Sequence, residues 1–407
     1  MVRASSHTET VLQAVHSDRS GRIVVSADYG AAAQSGAVEA LDRVLPLPAD
    51  AQLIPLADRA AVGLDRRGLP RSLGRDRWAV AAILPAGYLR THVPACEPAG
   101  DARPLEPLAY AAVAADAQGE LVVAAVACGT PGLAPVADPA NAISDRLRAE
   151  PANRLLRQLA RCARDYGCPA ARNAFTGGGE CALPLGGPAN DDAAPMVALR
   201  RGHERAPLDP VTFQATAADA AAVATAHFAS GGTAVTFGRA CEGEPLGTLR
   251  TLIDAVTLVR AGTPSGEIVV RTSGSSASAL ARAAAAGVDR AVVRFASADP
   301  VTYEQVHRPS GYRWSDVRAT LRDAAAHELA LTLELQLLPG LTDRGRETDA
   351  LLSLLGELPR GTALRLTDLA SDPYALLAQL PPDPSGTGIP GLLERIGTDA
   401  AHLRQVA

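Results

Sequence analysis

The chain has 407 residues, 47% hydrophobic and 20% charged, with a formal net charge of −5 and a sequence pI near 5.9. That length accommodates one large domain and a smaller one. The acidic balance and an aromatic content of 3% argue against a general affinity for nucleic acid, which needs basic surfaces and stacking faces. Every basic side chain other than histidine is arginine, so Schiff-base chemistry through lysine is excluded. Six cysteines, at 96, 128, 162, 168, 181 and 241, are too sparse for a disulfide scaffold. Residues 1–25 lack the apolar centre of a signal peptide, and no apolar run has the length of a membrane span, so the expectation is a cytoplasmic protein.

Residues 1–145 read as a separate α+β domain of unassigned role. Its strand candidates are Arg22–Ala27, Trp78–Leu84, Leu108–Ala115 and Glu120–Ala127, the last two joined by the hairpin signal Asp116-Ala117-Gln118-Gly119. Prolines 46, 48, 55, 70, 94 and 98 punctuate the remainder. Residues 146–407 change to short β-branched runs alternating with longer helical stretches. Strands are expected at Cys181–Leu185, Thr233–Phe237, Glu267–Thr272, Arg290–Phe295, Leu329–Leu337 and Thr362–Thr367. Helices are expected at roughly 151–166, 214–230, 247–262, 276–286, 314–328 and 345–357, with a last one at Gly391–Leu403. Repeated strand-then-helix units imply a parallel sheet with helices outside it, and six units are too few for a closed eight-stranded barrel. The fold class is therefore α/β, a partial (β/α)6 barrel behind a smaller N-terminal domain.

In such folds chemistry sits where strands run into the loops that follow them. The polar residues there are Arg239, Glu242 and Glu244; Thr272, Ser273 and Ser275; Ser297 and Asp299; Glu334 and Gln336; and Thr367, Asp368 and Asp372. Each has an ordinary alternative role as a helix cap, Asp299 before Pro300 above all. Three segments go further. Ala240-Cys241-Glu242-Gly243-Glu244-Pro245 follows the second strand, Ser297-Ala298-Asp299-Pro300-x-x-Tyr303-Glu304-x-x-His307-Arg308-Pro309 follows the fourth, and Leu338-Pro339-Gly340-x-Thr342-Asp343 follows the fifth. In order and spacing these resemble the radical SAM superfamily over about residues 180–375. The resemblance implies S-adenosylmethionine as cofactor. It implies that Glu242, Gly243 and Glu244 hold the methionine ammonium and that Thr272, Ser273 and Ser297 contact the ribose.

One part of the family pattern is missing. The superfamily's C-x3-C-x2-C loop belongs after the first strand, and no cysteine lies between Cys181 and Cys241. Two registers put Asn190, Ala194 and Val197, or Ala189, Ala193 and Met196, at the ligand positions; neither supplies a thiolate, so no iron–sulfur cluster and no metal are expected there. Positions where the superfamily often has asparagine hold Thr272 or Ser273, Ala296, Glu334 and Asp368. Cys162, Cys168 and Cys181, spaced C-x5-C-x12-C, match no common cluster or zinc pattern. Arg154, Arg157, Arg161 and Arg164 form a basic helical stripe, which reads as a solvated face or, alternatively, a docking surface for an acidic partner. Arg200, Arg201, His203 and Arg205 could fill the vacated cavity and pair with Glu242, Glu244 or Glu334.

Three readings follow. The first is a cluster-free protein that binds S-adenosylmethionine or a related adenosyl ligand, with a small molecule or peptide as possible substrate; any chemistry would be polar, with Glu334 or Asp368 as the acid–base group. The second is a non-catalytic pseudoenzyme that serves as partner or scaffold for another enzyme. The third is an iron–sulfur enzyme using displaced cysteines.

Overall fold

The structure is a computed structural model that describes residues 12–128, 139–192, 198–199, 205–206, 211–238, 242–326, 329–381, 383, 385–400 and 404–406. Arg239, Cys241, Arg200, Arg201, His203, Ala193, Ala194, Met196 and Val197 lie outside these residues, and Arg205 is described in its backbone alone.

Seven parallel strands follow one another in sequence order across one sheet: Glu180–Ala182, Ala234–Phe237, Glu267–Thr272, Arg290–Phe295, Ala330–Leu337, Ala363–Asp368 and Arg404–Val406. Their sequences explain both faces. In Arg290–Phe295, Ala291, Val293 and Phe295 join the apolar core beneath the helices, while Arg290, Val292 and Arg294 point the other way. The same alternation puts Leu331, Leu333, Leu335 and Leu337 under the helices and Thr332, Glu334 and Gln336 on the inner face. Helices Ala217–Ala229, Leu249–Gly262, Ala277–Ala286, Trp314–Ala326 and Gly345–Gly356 cover the apolar side. The result is a half-barrel, as the sequence implies. Beyond the six expected strands, Arg404–Val406 pairs in parallel with Ala363–Asp368, and the last helix ends at Asp399 rather than running to 403.

The first unit is a sheet of eleven strands with a separate pair, Tyr88–Arg90 and Ala125–Ala127, and among the described residues its pairings are all antiparallel. An α+β mixture is the sequence expectation; among the described residues 12–128 there are strands and no helix. Helix Ala140–Ala149 follows at the boundary. The alanine run Tyr110–Ala115 is wholly buried between Trp78–Ile83 and Leu121–Val123, so tertiary pairing overrides alanine's helical preference. The expected hairpin forms: Asp116 Oδ1 accepts from the N–H groups of Gln118 and Glu120, and Gly119 takes φ +83°.

This antiparallel unit sits on the carboxyl ends of the fifth and sixth parallel strands. Leu108 bridges to Ser371, Ser35 Oγ donates to Asp343 Oδ2 at 2.6 Å, and Tyr374 Oη donates to the Pro94 carbonyl at 2.7 Å. Val93 shares an apolar cluster with Ala296, Val306, Leu338, Leu341, Leu369 and Leu380. No described helix is long and apolar enough to cross a membrane.

Candidate functional site

The second strand ends at Phe237, and Gly238 turns the chain with φ +89°; a Cβ there would lie 1.9 Å from the Arg271 carbonyl oxygen. Only glycine allows the strand end and its neighbour to come this close. The turn brings Glu242 back under the strand ends. Its Oε1 accepts from the Gly238 N–H and its Oε2 from the N–H groups of Leu185 and Gly186, the latter at 3.3 Å. Burial raises this carboxyl to about 8 even though the three N–H donors favour its charged form.

Glu244 is 7% exposed and is the N-cap of the short helix Pro245–Thr248. Its Oε1 accepts from Leu246 N–H at 3.1 Å and from Thr272 Oγ1 at 2.6 Å. Its Oε2 accepts from Ser273 N–H at 2.8 Å and from Ser273 Oγ at 3.0 Å. A carboxylate has about four lone-pair positions, and these four donors fill them. An ammonium at Glu244 would have to displace one of the two hydroxyls.

Gly243 explains why the turn is so tightly held. A Cβ on it would fall 2.2 Å from the carbonyl carbon and oxygen of Pro188, so the loop after the first strand lies directly on the turn. Glu244 N–H donates to the Pro188 carbonyl at 3.1 Å. The loop then continues by side-chain contacts: Asn190 Nδ2 donates to Ser273 Oγ at 3.1 Å, and Asp191 Oδ2 accepts from Tyr312 Oη at 3.4 Å. Asp191 Oδ2 also lies 3.4 Å from His307 Nδ1. His307 Nε2 accepts the Ala296 N–H at 2.9 Å, which leaves the proton on Nδ1 to face Asp191. Burial lowers the histidine, consistent with this neutral tautomer. Tyr303 stacks on His307 with ring centroids 4.1 Å apart. The loop in the cluster position is thus anchored by Asn190 and Asp191 to the third strand end and to the Tyr303–Tyr312 segment.

These contacts test whether a cluster fits. The described residues facing the turn offer peptide groups, an amide and one carboxylate. Among the described residues no group of three or more His, Cys, Asp or Glu is placed to hold a metal. That donor set does not suit a thiolate-ligated iron cluster. Cys162 lies in helix Arg154–Asp165 and Cys168 follows its Gly167 stop at the start of the next helix; both are half-buried, and Cys181 is buried.

The remaining predicted residues disperse. Ser297 Oγ donates to Glu347 Oε2 at 2.5 Å, away from Glu244. Asp299 caps helix Pro300–His307 through the N–H groups of Val301 and Thr302 and pairs with Arg346, so the capping reading holds. Glu334, 4% exposed, lies on the inner face paired with Arg271, with Arg365 Nη1 3.8 Å from its Oε2. Asp368 closes the sixth strand beneath Arg90 of the antiparallel unit. Burial raises its carboxyl to about 6 against the opposing pull of Arg90. Glu334 and Asp368 have opposite parity along their paired strands and do not converge. Sequence reasoning missed Asn190, Asp191, Arg271, Arg365 and Arg90 as the partners of the carboxylates and hydroxyls it named. For the inner arginines, the alternation of strands such as Arg290–Phe295 was the available signal.

Half-barrel, loop and strand-end turn meet at one rim of the parallel sheet. No family model matches this chain, and no curated protein does. Solved structures similar in fold include a radical SAM methyltransferase from Sphaerobacter thermophilus, at 19% identity and TM-score 0.36 over 48% of this chain and 58% of that one. HydG, a maturase of the FeFe-hydrogenase, is similar at 13% identity and TM-score 0.40 over 67% and 60%. Methylornithine synthase (PylB) is similar at 10% identity and TM-score 0.39 over 65% and 77%. The chain thus spans about three-fifths of the length of the first two. These likenesses concern the chain path alone.

Proposed function

We propose that this is a radical-SAM-like protein that works without a cluster in the usual loop and has turned the Glu242-Gly243-Glu244 segment to a structural task. It acts as a non-catalytic binding protein, a partner or scaffold for another enzyme. One observation carries this reading: all the acceptor capacity of Glu244 is taken by Leu246, Thr272 and Ser273. The candidate acid–base groups support it as well. Glu334 is neutralised by two arginines, and Asp368 lies under Arg90. Free thiols at 96, 128 and 168 suit a reducing compartment, the cytoplasm.

Titration calorimetry with S-adenosylmethionine tests the reading. No heat is expected from the wild type. Saturable binding that Glu244→Ala abolishes would overturn it.

A second reading is an S-adenosylmethionine-binding enzyme of polar chemistry. The specific observation in its favour is that two of the four donors on Glu244 are hydroxyls, which can rotate toward a ligand's ribose and free the carboxylate for an ammonium. Asp368, raised to about 6, would then be the proton-transfer group. Turnover of the sulfonium by the isolated protein, lost in Asp368→Asn, is the result that would choose this reading over the first.

A further inference from the structure

A cleft of about 1230 Å3 opens between the two units, and none of Glu242, Glu244, Thr272 or Ser273 lines it. One wall is the turn between strands Ile23–Ser35 and Ala37–Ala40, with the residues just after it and His92. The other is Arg344, the end of helix Pro373–Leu377 and the start of helix Gly388–Asp399. Apolar surface is left open to this space: Ala37 and Ala378 are exposed, and Leu377 and Pro390 are half-buried. Domain interfaces are favoured places for ligand clefts, and this one exceeds the roughly 300–1,000 Å3 usual for small molecules.

Four carboxylates, of Glu39, Asp42, Asp383 and Glu394, and two guanidiniums, of Arg43 and Arg344, line the cleft. Some of these are engaged. Glu39 Oε1 lies 3.3 Å from His92 Nε2, and Asp383 Oδ1 accepts from the Ser385 N–H at 2.8 Å. Arg344 donates from Nε to the Gly340 carbonyl at 2.6 Å and from Nη1 to the Pro381 carbonyl at 2.9 Å. His92 needs no charge for its contact: Thr91 Oγ1, 3.0 Å from Nδ1, can donate there and leave the ring proton on Nε2. Acid therefore exceeds base in the lining. Asp42 and Glu394 are exposed on opposite walls, and no described residue bonds to either carboxylate. Among the described residues no group of three or more His, Cys, Asp or Glu could hold a metal, so the negative charge is spread rather than focused. Spread charge beside apolar surface suits several cations joined by an apolar chain.

We propose that this cleft binds an extended peptide segment of a partner protein, one that carries basic side chains with apolar residues between them. The basic groups pair with Asp42 on one wall and Glu394 on the other. The apolar residues cover Leu377, Ala378 and Pro390. The inference deepens the partner reading, on which it rests, by stating the chemistry of what is bound. It makes no use of S-adenosylmethionine at Glu244.

The test is fluorescence anisotropy of the full chain with a set of labelled nonapeptides. Each carries a pair of arginines at a different separation, with leucine between them; matched sets put glutamate for arginine or serine for leucine. At least one arginine–leucine peptide is expected to bind saturably, and its glutamate and serine counterparts about tenfold or more weakly. Added salt should weaken the binding, because exposed pairs are screened. Asp42→Asn with Glu394→Gln is expected to lower affinity about tenfold, as the loss of two exposed ion pairs implies. Both positions are exposed, so this protein should melt like the wild type. Glu120→Gln with Asp254→Asn removes the same charge from exposed positions outside the cleft and is expected to leave affinity unchanged. Equal weakening by the two double variants would mean diffuse attraction to an acidic protein and overturns the proposal. So does the absence of binding by every arginine peptide, or a glutamate peptide that binds as tightly. Saturable binding of S-adenosylmethionine would overturn the partner reading without altering these titrations, so the two fail separately.

Discussion

At Glu244 a single side chain joins four donors from three places: Leu246 in its own turn, Thr272 at the end of the third strand, and Ser273 just beyond it. Truncation would strand those donors in a buried site. Glu244→Ala is therefore expected to destabilise the protein by about 2–4 kcal/mol, read from the shift in urea midpoint at unchanged slope. Its neighbour Glu242 makes a different prediction. The carboxyl titrates near the ordinary glutamate value of 4.5 in the unfolded chain but at about 8 when buried in the fold. Between those values the folded state holds the extra proton. The stability from this group is therefore complete below about 4.5 and is lost as pH rises through about 8. The slope is on the order of 1.4 kcal/mol per unit of pKa difference, an upper bound while three N–H donors oppose the shift. Glu242→Gln should be less stable overall, because its amide faces Gly238 N–H, yet flatter between about pH 5 and about pH 8 in paired denaturation series. A mutant with the wild-type slope would mean that the carboxylate is charged in the fold. The meeting of Glu244, Thr272 and Ser273 was legible in the sequence, because parallel strands deliver their ends to one rim; Glu242 turns instead to the backbone of Gly238, Leu185 and Gly186. Asn190, Asp191, His307 and Tyr312 were not linked in advance. They span residues 190–312 and meet only after the loop has docked.

Arg90 shows how the elements are latched. Its side chain is fully buried; Nη2 donates to the Leu369 carbonyl at 2.6 Å and to the Leu337 carbonyl at 3.4 Å, and Nε lies 3.8 Å from Asp368 Oδ1. A buried charge without its counter-charge is costly, so Arg90→Met is expected to lose about 3–5 kcal/mol. Adding Asp368→Asn should recover part of that loss, because the second change removes the uncompensated carboxylate. A double-mutant cycle on denaturant midpoints measures the coupling, and additive effects would refute a latch. Element by element, the parallel unit was the readable part. Its strands alternate helix-facing apolar residues with inner polar ones, and its helices have caps such as Thr216 and Ser276. Arg404–Val406 escaped because three residues carry too little pattern, directly after a helical signal that ran to Leu403. Gln52–Leu64 escaped for another reason. Pro55 and the polar pair Asp58-Arg59 break the apolar run, where the register on Trp78–Ile83 shifts between Pro55 and Ala60 and Asp58 takes φ 60°.

On the scale of the whole molecule, the two units share a core rather than a linker. Val93 packs with Leu338, Leu341, Leu369 and Leu380 from the loops after the fifth and sixth strands. Around that patch lie Arg59 with Asp372, Ser35 with Asp343, and the Leu108–Ser371 bridge. Gly36 and Gly340 approach so closely that a Cβ on Gly340 would meet the Gly36 nitrogen at 2.5 Å. Domains joined by polar, transient contacts move and melt separately, whereas a continuous apolar interface couples them. The antiparallel unit is thereby held over the mouth of the half-barrel, which bears on what can reach the inner arginines. Scanning calorimetry of the wild type is expected to show one transition, with the calorimetric and van't Hoff enthalpies equal. Replacing Val93 and Leu369 by alanine together opens a cavity in the shared patch, worth about 2–5 kcal/mol for each larger side chain lost. It should split the transition in two, the half-barrel and the antiparallel sheet melting apart. Two resolved transitions already present in the wild type would show that the covering sheet is an independent body, and access to the inner face would then depend on its motion.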